Sequence, residues 1–245
     1  MKTTLRNLAL IAVLIAGVFA LSAKEKDNHR SETRKFEQTT RAIQASQGVE
    51  IEYIIREGAG TSVTLEGPEE NVGHMIVKMS GEKLTIRCED RSTGSSWASK
   101  VKATVVTGKI HSYDLNSAAK LECEGNLDLS GKNIKINISS AAKVELNSVN
   151  CGAMTIDASS AADVEINSLK ANVTDIDASS AAKVEIDDIT SQKTSADASS
   201  SAKVEFSRGN TGVTKLSASS CGKIRKGKTL ASSFSSDTSS LGSVK

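Results

Sequence analysis

From Ile138 to Gly222 apolar and polar residues alternate, and the alternation itself returns every 20 residues. Val144 and Leu146 flank Glu145, Val164 and Ile166 flank Glu165, Val184 and Ile186 flank Glu185, and Val204 and Phe206 flank Glu205. Ile136 and Ile138, Ile156 and Ala158, and Ile176 and Ala178 repeat the pattern elsewhere in the unit. A period of two puts successive side chains on opposite sides of a β-strand, so each stretch predicts a strand with one buried face. One phrase punctuates the strands. It reads Ser139-Ser140-Ala141-Ala142-Lys143-Val144-Glu145 and recurs from Ser159, Ser179 and Ser199. An earlier copy, Ser117-Ala118-Ala119-Lys120-Leu121-Glu122, lies 23 residues before its successor. Ser219-Ser220-Cys221-Gly222-Lys223-Ile224 and Ser239-Ser240-Leu241-Gly242-Ser243-Val244 are degenerate later copies.

A fixed period of this length is the mark of a solenoid, each unit stacking on the last. The Leu-x-x-Leu-x-Leu pattern of leucine-rich repeats is absent, and no unit shows helical periodicity. The expected fold class is therefore all-β: a right-handed parallel β-helix of about 20-residue coils with an N-terminal β-rich cap. Val144, Val164, Val184 and Val204 should form one inward column. Leu146, Ile166, Ile186 and Phe206 should form a second, and Val149, Leu169 and Ile189 should turn a third corner. Outward, Lys143, Lys183, Lys203 and Lys223 line up with Asp163 interrupting, beside a Glu145, Glu165, Glu185 and Glu205 column. Like charges about 4.8 Å apart repel by roughly 0.9 kcal/mol in a water-like medium, and the neighbouring column of opposite sign offsets this. That describes a solvated face; a repetitive binding surface is the alternative.

Composition then narrows the class. The chain has 245 residues, of which 3% are aromatic, with 1 Pro and 1 Trp, a composition suited to a narrow stacked core and poor in the aromatic platforms of sugar clefts. Met1–Ala23 reads as a secretory signal: Lys2 and Arg6, then an apolar Leu8–Leu21, then small residues, with cleavage after Ala20 or Ala23. Removing Lys2 and Arg6 leaves 29 basic against 29 acidic residues out of the original 31 and 29, which argues against a nucleic-acid partner. Cys88, Cys123, Cys151 and Cys221 show no Cys-x-x-Cys spacing, so zinc is disfavoured. Cys123 falls in the inward column of Leu146, so free thiols are expected.

Lys24–Lys35 reads as a charged linker, and Phe36–Tyr113 as a strand-rich cap continuous with the repeat region that starts at Asp114. Within the cap Val49–Ile55, Ser62–Glu66, Met75–Met79, Lys83–Arg87 and Lys100–Val106 are strand-like, and Gly67–Asn71 reads as a turn. A solenoid needs its first coil covered, because an open edge invites aggregation. The order Gly48-Val49-Glu50-Ile51, Ser62-Val63-Thr64-Leu65-Glu66-Gly67, Gly81-Glu82-Lys83-Leu84-Thr85-Ile86, Val101-Lys102-Ala103-Thr104-Val105, then stacked Ser-Ser-Ala-Ala-Lys-Val-Glu units resembles one bacterial family. That family is the auto-transporter adhesin, head GIN domain, and the likeness covers nearly all of the chain after its leader. In the family the coil turn is often Ser-Gly-Ser-Gly, where this chain has Ser-Ser-Ala-Ala. The resemblance implies an exported β-helix with an adhesin assignment, and it transfers no catalytic or binding residue.

The search for chemistry returns little. His29, His74 and His111 accompany no Gly-x-Ser-x-Gly elbow, and no phosphate loop, His-Glu-x-x-His helix or calcium nonapeptide occurs. Asp157, Asp177, Asp197 and Asp237 align, with Asn137 and Ser217 in the remaining places of the column; each Asp is expected to close an Asx turn, the alternative being a stacked cation site. Thr155, Thr174, Thr190 and Thr194 are read as out of register, which disfavours an ice-binding Thr array. In the fifth copy Lys226 replaces the inward Phe206, and Lys223, Arg225, Lys226 and Lys228 form a basic cluster, the only candidate ligand site. The reading is an exported, non-enzymatic, adhesin-like module of the periplasm or cell surface, requiring no catalytic residue, metal or cofactor. Its partner would be a surface polysaccharide, another envelope protein, or a second copy at the C-terminal edge. A polysaccharide-lyase-like β-helix enzyme is the alternative.

Overall fold

Residues 29–58, 60–89 and 100–245 are described by the computed structural model; the expected leader over Met1–Ala23 and Trp97 lie outside them. The described residues begin with β1 (His29–Phe36), β2 (Ala42–Ala45), β3 (Glu50–Ile55), β4 (Thr61–Pro68) and a short helix, α1 (Glu69–Gly73). β5 (Met75–Ser80), β6 (Lys83–Cys88), β7 (Lys102–Thr107) and β8 (Ser112–Leu115) follow. The repeat then forms β9 (Lys120–Ile138), β10 (Lys143–Ala158), β11 (Asp163–Ala178), β12 (Lys183–Ala198) and β13 (Lys203–Ala218). β14 (Lys223–Arg225), β15 (Lys228–Thr238) and β16 (Ser243–Val244) end it. The result is the expected parallel β-solenoid, about 7 turns of roughly 20 residues.

Each long strand wraps a whole coil. β10 pairs in parallel with β11 over Lys143–Leu146, Ser148–Cys151 and Ala153–Ala158, so Asn147 and Gly152 are corners and the coil has three sides. Val144 stands on Val164, Val184 and Val204, and Leu146 on Ile166, Ile186 and Phe206, all buried, as the inward columns require. Val149, Leu169 and Ile189, expected at a third corner, instead face inward from the second side and are buried.

The turn that closes each coil has an unexpected backbone. Ser140 and Ala141 both have positive φ, 55° and 59°, and so do the matching pairs from Ser117-Ala118 to Ser240-Leu241. Two successive left-handed residues are the type I′ geometry. Ala142 N–H closes the turn on Ser139 O at 3.2 Å, while Ala141 N–H reaches the next coil at Ser160 O, 2.9 Å away. A left-handed L-residue costs about 1–2 kcal/mol, and this second hydrogen bond, repeated coil by coil, offsets it. Gln47 and Gly48 have the same signs of φ, and Gly48 N–H bonds Ser117 O, so Ser46-Gln47-Gly48-Val49-Glu50-Ile51 is a copy that the sequence pattern concealed. The 23-residue first spacing is also explained: relative to β10, β9 carries one extra residue between Cys123 and Asn126 and two between Leu129 and Asn133.

Above β9 the stack divides. One path runs β9-β3-β7-β4-β1 and the other β9-β8-β2-β6-β5, so cap and coils share one hydrogen-bonded sheet. β4 lies antiparallel on β7, and β1 antiparallel on β4. The supposed linker is therefore wrong from His29 onward, because Thr33 and Thr64 hydroxyls bond across the pair at 2.9 Å and Arg34 reaches Glu32 at 2.8 Å. Such a charged strand suits an outer edge, where it discourages further pairing. Gly67–Asn71 is likewise no simple turn; Pro68 precedes the short helix α1, a place where its fixed φ is harmless.

The core changes character along the axis. Ile134 and Met154 stack on Thr174, Thr194 and Thr214, so Thr174 and Thr194 do keep register, but on the inside. Their hydroxyls are partly satisfied within the coil: Thr174 donates to Ser191 Oγ at 3.1 Å, and Ser191 donates to Lys193 O at 2.9 Å. Thr211 and Thr214 share a hydrogen bond of 2.7 Å.

Two outcomes test this register. Val184 is fully buried and Lys183 is half-exposed in an ion pair with Glu185. Val184→Asp should cost roughly 3–5 kcal/mol in denaturant melts, and Lys183→Asp under about 1; the reverse ranking is incompatible with the coil. Thr194 Oγ1 is buried without a hydrogen-bond partner among the described residues. Thr194→Val, which keeps the shape and removes that oxygen, should stabilise the fold by about 1 kcal/mol.

Candidate functional site

Three outward columns mark the first side of every coil. Lys120, Lys143, Asp163, Lys183, Lys203 and Lys223 stand in register, with Glu122, Glu145, Glu165, Glu185 and Glu205 beside them. Lys143 Nζ lies 2.8 Å from Glu145, 2.9 Å from Glu165 and 3.6 Å from Asp163, and Lys120 is 2.9 Å from Glu145. Partial burial would lower the Lys143 pKa, but hydrogen bonds to Glu145 and Glu165 hold it well above the ordinary lysine value. Burial likewise opposes the lowering of the Glu145 pKa by Lys143 and Lys120, and the lysines win. At the corner Asn167 donates to Asn147 at 3.2 Å and Ser207 to Asp187 at 3.0 Å. These columns satisfy one another, so the face is a balanced, solvated one.

The aspartate column does not close Asx turns. The amide two residues on is already engaged: Ser159 N–H bonds Ile138 O at 3.0 Å, and Ser179 and Ser199 bond Ala158 and Ala178 at 2.9 Å. Asp157 pairs with Lys135 at 3.2 Å. Burial, then Asp197, Asp157 and Asp175, raise the Asp177 pKa. Among the described residues no group of three or more His, Cys, Asp or Glu is placed to hold a metal ion.

The basic residues near the C-terminus are divided. Lys223 is exposed and continues the lysine column, while Arg225 enters the glutamate column and pairs with Glu205 at 3.1 Å. Lys226 is half-buried with its ammonium 6.0 Å from the centre of the Phe234 ring, a cation–π contact that lets it occupy an inward place. Lys228 lies on the next side, paired in register with Arg208. Lys223 and Arg225 thus share a side that Lys228 does not.

The irregular first coil carries a cleft at each of its bulges. At its one-residue bulge a cleft of about 700 Å³ is lined by Glu50, Glu122, Glu124, Lys102, Lys120 and Ile54, among others. At its two-residue bulge a second, of about 520 Å³, is lined by Arg41, Lys109, Lys132, His111, Glu57 and Asp128, among others. Neither was anticipated; the only signal in the sequence was the 23-residue spacing. Burial, then Arg41 and Lys132, lower the His111 pKa, and His74 Nδ1 lies 3.4 Å from Glu89. No disulfide joins the four cysteines; Cys88, Cys123 and Cys151 are buried, and burial pushes Cys151 up to about 11.

These features define a capped parallel β-solenoid with long self-paired faces and two clefts at the junction of cap and coils. The chain belongs to the family described as putative auto-transporter adhesin, head GIN domain, whose model matches residues 41–244. Solved structures share the fold. A putative adhesin from Parabacteroides distasonis superposes with a TM-score of 0.71 at 15% identity, over 89% of this chain and 97% of its own. One from Bacteroides fragilis gives 0.65 at 14%, over 88% and 95%. A protein described as a putative lipid binding protein, also from Parabacteroides distasonis, gives 0.63 at 12%, over 87% and 95%. Among curated protein sequences none matches this chain. No helix among the described residues is long and apolar enough to cross a membrane.

The aspartate column supplies a test. A carboxyl whose folded pKa is raised favours the fold when protonated and loses that contribution as pH rises through the folded value. Asp177 is of this kind. Asp177→Asn should therefore raise the melting temperature at pH 7, and the gain should vanish below the ordinary carboxylate range and shrink in high salt.

Proposed function

We propose that this protein is exported and acts as a non-enzymatic, adhesin-like binding module of the periplasm or cell surface. The observation that carries this reading is the family match across residues 41–244. The physical form supports it. Stacked coils make a stiff rod whose outer charges are largely neutralised by one another, as in Lys143 with Glu145 and Glu165. Such a surface resists non-specific association and leaves recognition to its irregular places. The Met1–Ala23 pattern of charged, apolar and small residues supports export. The partner classes consistent with this role are a surface polysaccharide and another envelope protein.

An array of glycans and matrix proteins, probed with the chain lacking its leader, should return saturable binding to at least one class. Incubation of the same protein with a polysaccharide panel should give no turnover. Turnover abolished by a single substitution would replace the adhesin-like reading with a carbohydrate-active one.

A further inference from the structure

β9 carries both irregularities of the stack, and they leave part of its cap-facing edge bare. β3 pairs with it only where Glu50–Glu52 meets Lys120–Glu122, and β8 only where Ser112–Leu115 meets Lys135–Ile138. Between these contacts β9 pairs with β10 on its far side, and no described strand of the cap pairs with it on the near side. The cause is local. Gly125, in the one-residue bulge, packs so closely on Ile55 that an added Cβ would lie 3.1 Å from Ile55 Cδ1. There β9 leaves β3, which continues against β7 as far as Ile55. A strand edge without a neighbour presents a row of N–H and C=O groups, which is a template for another chain.

The ends of this ledge differ in charge. At the start lie Glu50 and Glu124, which have no ion pair among the described residues, and Ile54, 38% exposed. At the far end stands Lys132, also without an ion pair among the described residues, beside Arg41 and Lys109. Lys102 and Lys120 at the acidic end are occupied by Glu52 at 2.7 Å and Glu145 at 2.9 Å. Arg41 and Lys109 at the basic end face Glu82 at 3.0 Å and Glu57 at 2.7 Å. Asp128 also lies at the far end, hydrogen-bonded to Ser130 and Asn150. Over all charged lining residues the start sets Glu50, Glu52, Glu122 and Glu124 against Lys102 and Lys120, and the far end sets Arg41, Lys109 and Lys132 against Glu57 and Asp128, so the balance is negative early along β9 and positive late. β10, β3 and β8 all run parallel to β9.

We propose that this ledge binds an extended polypeptide strand of a partner protein, added parallel to β9, with basic side chains at its N-terminal end and acidic ones at its C-terminal end. The inference rests on the reading of the chain as a binding module and gives that module a site and a ligand chemistry. A row of main-chain groups is matched by another main chain, which favours polypeptide over glycan. The two end clefts fix orientation and register by charge.

The test uses synthetic ten-residue peptides of alternating Thr and Val. One carries two Lys at the N-terminal end and two Glu at the C-terminal end; its control has the ends exchanged. Fluorescence anisotropy against the chain lacking its leader should show the Lys-first peptide binding at least about tenfold more tightly at low salt. N-methylation of alternate peptide amides should abolish binding in one of its two phases. The double variant Glu124→Lys, Lys132→Glu changes two exposed residues, so its melt should be unchanged and its preference should invert. Equal or reversed affinity, insensitivity to both N-methylation phases, or no binding by either peptide would overturn the proposal. If glycans or matrix proteins still bind the array while the peptides do not, only this inference falls; if nothing binds, the adhesin-like reading falls with it.

Discussion

The stack depends on its turn. At each coil two consecutive residues take the left-handed conformation, and in most copies neither is glycine, as at Ser180-Ala181 with φ of 52° and 63°. Alone, each turn would be strained. In the stack its amide donates to the next coil, as Ala161 does to Ser180 O at 2.9 Å, so every coil holds its neighbour's turn in place. This explains why small residues occupy the phrase. Ala142, Ala162, Ala182 and Ala202 are buried beneath it, where a longer side chain would force neighbouring coils apart. A register slip of one residue would invert every side chain and break all of these hydrogen bonds together.

From that constraint the interior follows. Two inward columns stack like on like, valine on valine and leucine on isoleucine, whereas others vary in size, with Ile176 on Ala196 and Ile189 on Gly209. Where the interior turns to Thr174, Ser191, Thr194 and Thr211 the chain exchanges apolar contact for hydroxyl pairs, and such pairs contribute less than close apolar packing unless every oxygen is satisfied. At the opposite end the edge problem is met differently. The cap reverses direction, so the parallel stack finishes in the antiparallel strands β4 and β1, and β1 carries charge on its outer side.

The same regularity shapes what the surface can do. A perfect repeat offers the same shallow, self-neutralised pattern at every coil, and recognition by such a face would be equally good at every register. Specificity needs a place where the repeat fails. In this chain the repeat fails at β9, where three inserted residues in two bulges open clefts of opposite charge at the boundary with the cap. Bulges commonly re-aim side chains at functional places. In the copy that starts at Ser219 the basic residues are spread over two sides, with Arg225 in the glutamate column and Lys226 over Phe234, which leaves them little in common as a site.

Local patterning determined the repeat, the strand faces, the columns of Val184 and Glu185, and the family, because a period of two within a period of 20 admits few packings. Those signals are short-range and recur, so they are legible without coordinates. The concealed copy at Gln47-Gly48 was not, because β4 to β7 intervene before its stacking partner at Ser117. Thr174 and Thr194 were misassigned because a threonine fits either side of a strand, and only the coil decides which. The aspartates failed to close Asx turns because the amides they would use belong to the neighbouring coil, a competition between coils that no local motif reveals. Of the clefts the sequence records only the 23-residue spacing that marks the irregular coil; that Glu50 meets Glu124, and Arg41 meets Lys132, follows from the parting of β3 from β9, which only the tertiary structure decides.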